Sequence, residues 1–389
     1  MSTPALTGPT RDSLAWPFFS ADHAGIARRL DDFAATGVLA EVDHHAVDAE
    51  CRRLADAMGR AGLLALATGD AGRHDIESRA LCLARETLAW HDGLADFVFA
   101  MQGLGTGAVH LGGEGALRQT ILEKASSGEW LAAFALSESE AGSDVAAMAC
   151  AARRDGDAFV LDGEKTWISN GGIADVYTVF ARTGEAPGTR GISAFVVFPD
   201  DPGFSIAERI DVIAPHPLAT IRFEGCRIPA GRLLGTAGEG FKLAMRTLDI
   251  FRASVAAAGL GLARRALDEA IAHATSRRMF GARLGDLQMT QARIAEMAAG
   301  IDAAALLTYR AAWQRDVLKQ PTTREAAMAK LAATEHAQTT IDACVQMFGA
   351  RGVVSGAVPE RLYRDIRALR IYEGASEVQK LIIARSYLK

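Results

Sequence analysis

Apolar positions along the chain change their spacing twice. In the first part of the chain they recur three or four positions apart, as amphipathic helices require, and Ile26, Leu30 and Phe33 form such a face. Two glycine-rich stretches, Ala67–Gly72 and Gly103–Gly115, are expected to break this region into separate helices. The sequence therefore predicts a helical N-terminal region.

The middle of the chain contains short runs rich in Val, Ile and Phe, separated by turn residues. Turns are predicted at Arg154–Asp157 and at Asp162-Gly163, because Asp-Gly pairs suit tight hairpin turns. Apolar runs bounded by such turns are typical of β-strands. The predicted strands are Ala158–Leu161, Val176–Ala181, Ile192–Phe198 and Thr220–Phe223.

Helical periodicity returns towards the C-terminus. Thr322 and Glu325 form a capping-box pattern that predicts the start of a helix. The helix before this point has one face made of Ile294, Met297, Ile301, Ala305 and Thr308. The helix after it has one face made of Met328, Leu331, Ile341, Val345 and Phe348. Such faces indicate a core or a subunit interface.

The predicted fold class is therefore mainly α with a central β domain. A chain of 389 residues is long enough for two or three domains. The predicted units are a poorly ordered N-terminal tail (1–19), an N-terminal helical domain (20–129), a middle β domain (130–238) and a C-terminal helical bundle (239–389).

Composition excludes several classes of protein. With 49% hydrophobic residues and a net charge of −5, the chain is an ordinary globular protein without a long basic run for nucleic acid. Its five cysteines are isolated, which argues against a zinc site and favours buried, reduced thiols. No apolar run is long enough to cross a membrane, and no signal-peptide core precedes Phe19, so a cytoplasmic location is expected.

Nucleotide-binding and nucleophile motifs of the common kinds do not occur. Gly103–Gly107 and Gly259–Gly261 are glycine-rich, but neither follows a strand in a βαβ unit, so helix breaks and close helix packing explain them better. The GxSxG nucleophile elbow is absent.

Four other segments carry candidate chemistry. Phe134–Asp144 runs from a strand into a hydroxyl-rich turn, which could offer N–H groups and hydroxyls to a ring edge or a phosphate. Gly163–Asn170 places a tryptophan at a strand end, where it could stack on a flat cofactor. Arg277–Gly281, followed by Gln288, offers an arginine suited to a pyrophosphate. Taken singly, these segments could equally be a plain loop, a core tryptophan and a surface ion pair.

The fourth segment contains a candidate base. Gln346–Gly352 is followed by Tyr372–Glu377, in which Glu373 lies between an aromatic residue and a glycine, just before an apolar helix. A carboxylate in such a place could be desolvated, and its pKa raised towards the working pH. An acid favoured by the dipole at a helix N-terminus is the alternative interpretation.

In order and spacing, these four segments resemble the acyl-CoA dehydrogenase family from about residue 20 to residue 389, including the interval from Gln346 to Glu373. The resemblance implies an N-terminal helical domain, a middle β-barrel and a C-terminal four-helix bundle. It also implies FAD as the cofactor, an acyl-CoA substrate, a homotetramer built as a dimer of dimers, and an electron-transfer flavoprotein as the electron acceptor.

The resemblance assigns roles to individual residues. Glu373 is the implied catalytic base. The implied FAD contacts are Phe134, Leu136, Ser137, Gly142, Ser143, Trp167, Ile168, Ser169, Arg277, Phe280, Gln288, Gln346, Gly349, Ala350, Ala375 and Glu377. The implied substrate contacts are Ser143, Asp249, Arg252 and Gly374. Some relatives place the base on the Asp249–Arg252 helix, but Phe251 occupies that position here and cannot ionise.

The implied reaction is α,β-dehydrogenation of an acyl-CoA to the trans-2-enoyl-CoA. Glu373 takes the α-proton while the β-hydride goes to flavin N5. A flavin ribityl hydroxyl and the backbone N–H of the glutamate stabilise the developing enolate, as an oxyanion hole does. In the family, the helix around Leu88–Leu104 partly governs the depth of the acyl pocket. Bulky Phe97 and Met101 there favour a short or branched acyl chain, in the catabolism of fatty acids or amino acids. No arginine between Trp90 and His110 could anchor the distal carboxylate of a glutaryl-type substrate.

Several departures from the family pattern leave alternatives open. Glu140 adds a charge to the flavin loop, Ala375 and Ala350 replace the usual Thr and a common Gly, and Ile210–Thr220 contains an unusual Pro-His-Pro. The alternative chemistries on the same fold are an acyl-CoA lyase or desulfinase, an oxidase, and a dehydrogenase of acyl groups on a carrier protein. A non-catalytic helical assembly is a further alternative, which bound flavin would exclude.

Overall fold

The computed structural model describes residues 8–69 and 76–388. The chain divides into two compact units. A helical unit contains the segments up to residue 42, 77–96 and from 251 onward, and a sheet unit contains 43–76 and 97–250. The division into domains drawn from the sequence stays a prediction. The fold class, mainly α with a central β domain, is confirmed.

The helices account for most of the described chain. In the first part they are α1 (Ala21–Ala35), α2 (Val47–Arg60), α3 (Ala65–Thr68), α4 (Ser78–His91), α5 (Gly93–Gly112) and α6 (Gly115–Ser126). In the last part they are α7 (Gly240–Ser276), α8 (Gln288–Asp316), α9 (Thr323–Phe348), α10 (Val358–Leu369) and α11 (Ser376–Tyr387).

The packing faces of α8 and α9 agree only in part with those predicted from the sequence. The face predicted for α8 is buried at Met297, Ile301, Ala305 and Thr308. In α9 the buried stripe is mostly alanine, and the predicted Met328 and Leu331 are only half-buried. The predicted capping box is wrong, because Thr322 caps no N–H with its side chain and Glu325 pairs with Arg324 instead.

Part of the segment predicted to be a poorly ordered tail has regular structure and contacts with the helical unit. Residues 1–7 lie outside the described residues, but Asp12–Ala15 forms a short 3₁₀ helix. Arg11 forms an ion pair with Asp31 of α1, and the Phe18 ring lies 6.1 Å from that of Trp313. The tail prediction is therefore wrong from residue 12 onward, because its aromatic residues find apolar partners in the helical unit.

The sheet unit is built on one eight-stranded sheet. Its strands are β1 (Ala132–Ala135), β2 (Ala151–Asp155), β3 (Ala158–Ser169), β4 (Val176–Arg182), β5 (Ile192–Val197), β6 (Phe204–Arg209), β7 (Leu218–Pro229) and β8 (Leu233–Leu234). The order is β6-β7-β3-β2-β4-β5-β8, and β1 pairs in parallel with β4. A buried core of aromatic and aliphatic side chains, including Phe159, Phe195 and Phe223, fills one side.

One predicted turn is present and the other is not. Arg154–Asp157 connects β2 to β3, with Gly156 at a φ of 62°. At Asp162-Gly163 the strand continues through a β-bulge, with Gly163 at a φ of 131°. A Cβ at Gly163 would lie 2.8 Å from the Cα of Cys150, so close approach to the neighbouring strand, rather than a turn, explains this glycine.

Helix α5 runs unbroken through most of the predicted glycine break. A Cβ at Gly105 would lie 2.6 Å from the Cβ of Ala132, and one at Gly107 would lie 2.5 Å from the Cγ2 of Thr247. These glycines therefore allow close packing, and the chain leaves the helix only at Gly113. The other predicted break, Ala67–Gly72, falls partly outside the described residues; α3 ends before Gly69, which has a φ of 72°.

The described residues contain neither a membrane-spanning helix nor a cluster of metal ligands. No described helix combines the length and the low charge that crossing a membrane requires. Within 8–69 and 76–388, no group of His, Cys, Asp and Glu side chains is arranged to hold a metal ion. All five cysteines are buried as free thiols.

Candidate active site

Glu373 lies in a short loop that connects α10 to α11. Its φ is 51° and that of Gly374 is 88°, so two successive residues adopt the left-handed conformation. This conformation is uncommon for a residue with a long side chain, and it persists only where surrounding contacts hold it. Such strain is frequent at functional sites.

Two side chains hold the backbone carbonyls of this loop. The Nζ of Lys330 in α9 donates to the carbonyl of Tyr372 at 2.6 Å and to the carbonyl of Gly374. The amide of Gln379 in α11 donates to the carbonyl of Gly374 at 2.7 Å and weakly to that of Glu373 at 3.4 Å. Three consecutive carbonyls are therefore turned towards the body of the helical unit.

The ends of the loop are fixed by a separate network. Arg370 forms a bidentate pair with Glu335 of α9, at 2.9 and 2.7 Å. Ser376 donates its hydroxyl to the same carboxylate and its N–H to the carbonyl of Arg370, at 3.1 Å for the latter. The loop therefore starts and ends at one place on α9.

The carboxylate of Glu373 has a buried oxygen atom, Oε2, that forms no hydrogen bond within the described chain. Although the residue as a whole is half-buried, desolvation of this carboxylate raises its pKa, and the positive charges of Arg85, Lys330 and Arg252 oppose the rise. A carboxylate that is desolvated and unpaired is a stronger base than one in water.

A buried ion pair lies among the groups that act on Glu373. The guanidinium of Arg85 in α4 binds both carboxylate oxygens of Asp96 at 2.8 Å and donates to the hydroxyl of Ser254 at 3.1 Å. Both charged residues are almost completely buried. Asp96 therefore offsets part of the positive charge that Arg85 places near the base, and Arg85 still favours the ionised carboxylate.

The first two motifs meet in the sheet unit. The N–H of Thr166 in β3 donates to the carbonyl of Ser137, which follows β1, at 3.0 Å. The buried ammonium of Lys165 donates to the carboxylate of Glu138 at 2.7 Å and to the carbonyl of Leu136 at 3.1 Å. The same carboxylate accepts the N–H groups of residues 149 and 150. The loop after β1 is thus attached to β3 by a buried charge pair.

An exposed tryptophan marks the same edge of the sheet. Trp167 has a φ of 59°, and 57% of its surface is exposed. It lies in a bulge of β3 between Lys165 and Ile168, so the strand turns its side chain outwards. The nearby candidates differ in exposure: Phe134, Leu136 and Ile168 are buried, Ser137 and Ser169 are half-buried, and Gly142 and Ser143 are exposed.

The third motif and part of the fourth meet in the helical unit. After α7 the chain forms a small hairpin whose turn, Phe280-Gly281, has positive φ at both residues. Phe280 is 90% exposed, and Arg277 and Gln288 are exposed beside it. The ring of His273 in α7 stacks on Phe348 at the end of α9, with 4.2 Å between centroids. This contact joins α7, four residues before Arg277, to the end of α9, where Gln346, Gly349 and Ala350 are exposed.

The remaining candidates lie on helices. Ala375 precedes the first residue of α11, and Glu377 is exposed in its first turn. Asp249 and Arg252 lie three positions apart on α7, where Arg252 is buried. Phe251 is also buried, so no second carboxylate arises there.

Sequence reasoning missed the groups that hold the motifs in place. Lys330 acts on carbonyls 42 and 44 residues away, and no local motif marks it. Lys165 lies inside the Gly163–Asn170 segment, but its acceptors precede it by 27 and 29 residues. Gln379 acts on carbonyls only five and six residues before it. The one available signal was periodicity: Lys330 falls on the alanine face of α9 that the structure buries. A lysine on a buried face requires a polar partner.

Two observations are consistent with the binding of a flat, charged cofactor by the candidate residues. Trp167 and Phe280 are exposed aromatic residues held in left-handed backbone, a costly arrangement without a ligand. The buried Oε2 of Glu373 lacks a partner, as expected of a group that acts on a bound molecule.

Comparison with known proteins gives consistent results. Residues 133–226 match the middle domain of acyl-CoA dehydrogenases, and residues 238–388 match the C-terminal domain. The human mitochondrial short-chain specific acyl-CoA dehydrogenase is 40% identical over 336 residues, 85% of this chain and 81% of that protein.

Two solved structures are similar over most of their length. A glutaryl-CoA dehydrogenase from Mycobacterium smegmatis in complex with FADH2 has a TM-score of 0.86 at 27% identity, covering 95% of each chain. A chain in a structure of the electron transferring flavoprotein of Acidaminococcus fermentans has a TM-score of 0.88 at 33% identity, covering 95% of this chain and 99% of that one.

Proposed function

Because the chain belongs to the acyl-CoA dehydrogenase family, an FAD-dependent family of enzymes, we propose that it desaturates a short or branched acyl-CoA with Glu373 as the base. The observation that supports this role best is the buried, unpartnered Oε2 of Glu373. FAD, when bound, accepts the hydride from the β-carbon.

The chain itself supplies the proton transfer. Glu373 takes the α-proton, the electrons of that C–H bond form the double bond, and the β-hydrogen leaves with its electron pair, giving a trans-2-enoyl-CoA. Within the described residues the N–H of Glu373 has no hydrogen-bond acceptor, so it is available to the thioester oxygen. Such a donor stabilises the developing enolate.

The cofactor-binding residues remain those named from the sequence. In the sheet unit, exposed Trp167 offers its ring to the flavin, and Ser137 and Ser143 offer hydroxyls. In the helical unit, Arg277 offers a guanidinium suited to a pyrophosphate. Both sets are supported by their exposure.

A short or branched acyl chain is supported by two observations. The human relative is described as short-chain specific. In this chain the ring of Phe97 in α5 packs at a tilt against that of His216, with 4.6 Å between centroids. The unusual Pro-His-Pro segment therefore adds bulk beside the helix that the family resemblance connects with acyl-chain length. The absence of an arginine between Trp90 and His110 argues against a glutaryl substrate, although one similar structure is a glutaryl-CoA dehydrogenase.

The proposed electron acceptor, oligomeric state, pathway and location rest on similarity to other proteins. An electron-transfer flavoprotein is the proposed electron acceptor, supported by the similar chain from Acidaminococcus fermentans. The homotetramer, the catabolic pathway and the cytoplasmic location stay predictions, and the human relative is mitochondrial.

An anaerobic titration with saturated acyl-CoAs of increasing length tests the proposal. We expect the oxidised-flavin band to bleach with one short or branched class, and mass spectrometry to find a product lighter by two hydrogens. A band that no saturated acyl-CoA bleaches would favour the lyase or oxidase alternatives, and bleaching only by acyl-carrier-protein thioesters would favour the carrier-bound substrate.

A further inference from the structure

Lys330 is a buried lysine whose partners are uncharged. It is 1% exposed, and its Nζ donates to the carbonyls of Tyr372 and Gly374, the two residues that flank Glu373. No carboxylate of the described residues lies within ion-pair distance of this ammonium. Two backbone carbonyls are a small compensation for burying a charge, so this contact has a stability cost that other gains must offset.

The contact fixes the backbone on both sides of Glu373. With the carbonyls of Tyr372 and Gly374 bound to one ammonium, Glu373 cannot return to right-handed backbone without breaking at least one of these bonds. Gln379 strengthens the constraint, because its amide binds the carbonyl of Gly374 at 2.7 Å. The carbonyls are held on one side, and the N–H of Glu373 is left without an acceptor among the described residues.

We infer that Lys330 is a positioning residue for the base: it locks the left-handed backbone that aims both the carboxylate and the N–H of Glu373. The backbone function follows from the hydrogen bonds alone. The consequence for catalysis rests on the proposed dehydrogenation.

The charges around Glu373 agree with this role. Arg85, Lys330 and Arg252 favour its ionised form, and Asp96 opposes it. Arg85 is bound to Asp96 through both carboxylate oxygens, whereas Lys330 has no such counter-charge. Burial lowers the pKa of Lys330 to about 8, and the negative charge of Glu373 limits that fall. Removing Lys330 should therefore raise the pKa of Glu373.

Three variants of the FAD-loaded enzyme test the inference. Lys330→Met removes the charge and both hydrogen bonds at similar volume. Gln379→Met removes only hydrogen bonds, and Lys380→Met removes an exposed charge from the same unit as a matched control. Two quantities are measured: the anaerobic rate of flavin reduction by an acyl-CoA, and the pH at which the Glu373 carboxyl ionises, from the infrared band that Glu373→Gln abolishes.

We expect Lys330→Met to keep its flavin, to reduce it about 10- to 100-fold more slowly, as small misplacements of reacting groups do, and to ionise Glu373 at higher pH. Gln379→Met should slow reduction without moving the ionisation, and Lys380→Met should change neither. An unchanged rate and ionisation in Lys330→Met would overturn the inference. If Lys330→Met does not fold, an unchanged rate in Gln379→Met overturns the positioning of the loop.

Failure of the proposed function is distinguishable from failure of this inference. A wild-type flavin that no acyl-CoA reduces would refute the dehydrogenation. The infrared titration needs no substrate, so in that case a Glu373 ionisation unmoved by Lys330→Met would still overturn the role of Lys330, and a shift to higher pH would support it.

Discussion

Two buried lysines, one in each unit, hold loops that carry candidate residues, and they do so in different ways. Lys165, in the sheet unit, binds the carboxylate of Glu138 together with one carbonyl. Lys330, in the helical unit, binds two carbonyls and no carboxylate. The Lys165–Glu138 ion pair is compatible with a structural role, because it only has to fix the conformation of the loop after β1. Beside a base, a direct ion pair would hold the carboxylate in its ionised, weakly basic form.

Burial therefore has two different effects in the two units: it encloses an ion pair in one and desolvates a single carboxylate in the other. In the sheet unit a desolvated charge pair fixes the loop after β1. In the helical unit the desolvation of Glu373 is opposed by nearby positive charges, but Oε2 itself has no hydrogen-bond partner among the described residues.

The largest effect is expected from Glu373→Gln. Removing the base should slow flavin reduction by at least the ~10²–10⁴-fold typical of general-base catalysis, with FAD retained. Stopped-flow reduction at saturating substrate measures it. A variant that lost its flavin would show that this residue supports the fold rather than the chemistry.

Lys165→Met should destabilise the enzyme more than it slows the reaction. It leaves the buried carboxylate of Glu138 without its counter-charge, which typically costs about 3–5 kcal/mol. Urea unfolding of the single variants, of Glu138→Gln and of the double variant gives the coupling energy. Additive effects of the two substitutions would contradict the buried ion pair.

A smaller effect is expected from Gly163, where β3 packs closely against Cys150, just before β2. Gly163→Ala places a methyl group 2.8 Å from the Cα of Cys150 on strained backbone, and we expect a loss of about 1–3 kcal/mol of unfolding free energy. Gly156→Ala is the matched control: its φ is also positive, but no atom lies within 4 Å of the added carbon. Equal losses would show that strain alone matters.

The pH dependence of the reaction should reveal the desolvated base. Since burial raises the pKa of Glu373 above its ordinary value of 4.5, activity should be lost on acidification at a higher pH than for an exposed glutamate. The folded state then holds a proton that the unfolded state has released, so this group lowers stability as pH rises through that window. Comparing the unfolding of wild type and Glu373→Gln across pH isolates this contribution, and identical profiles would contradict it.

The smallest effect concerns the acyl chain. Phe97→Ala should raise kcat/KM for a longer acyl-CoA relative to a short one by about tenfold, since a methylene in an apolar pocket is worth about 1–3 kcal/mol. Kinetics with two chain lengths measures the ratio. An unchanged ratio would remove Phe97 from the determinants of chain length.

Local sequence patterns predicted several strands but not the groups that support the candidate residues. The strands at Val176 and Ile192 follow from neighbours in sequence, whereas the role proposed for Glu373 follows from the family resemblance. The unbroken α5 could not be predicted, because Gly105 and Gly107 are explained only by contacts with residues 132 and 247. The same holds for Lys330, whose acceptors lie 42 and 44 residues away. Long-range packing overrides local preference at these positions.

The most direct test of the account is anaerobic reduction of the FAD enzyme by a short saturated acyl-CoA carrying deuterium at the α-carbon or at the β-carbon. We predict that wild type bleaches its oxidised-flavin band rapidly, with a primary isotope effect from each position. Flavin-loaded Glu373→Gln should show almost no bleaching of this band. Bleaching of Glu373→Gln at the wild-type rate, or an absent α-isotope effect, would contradict the role of Glu373 as the base.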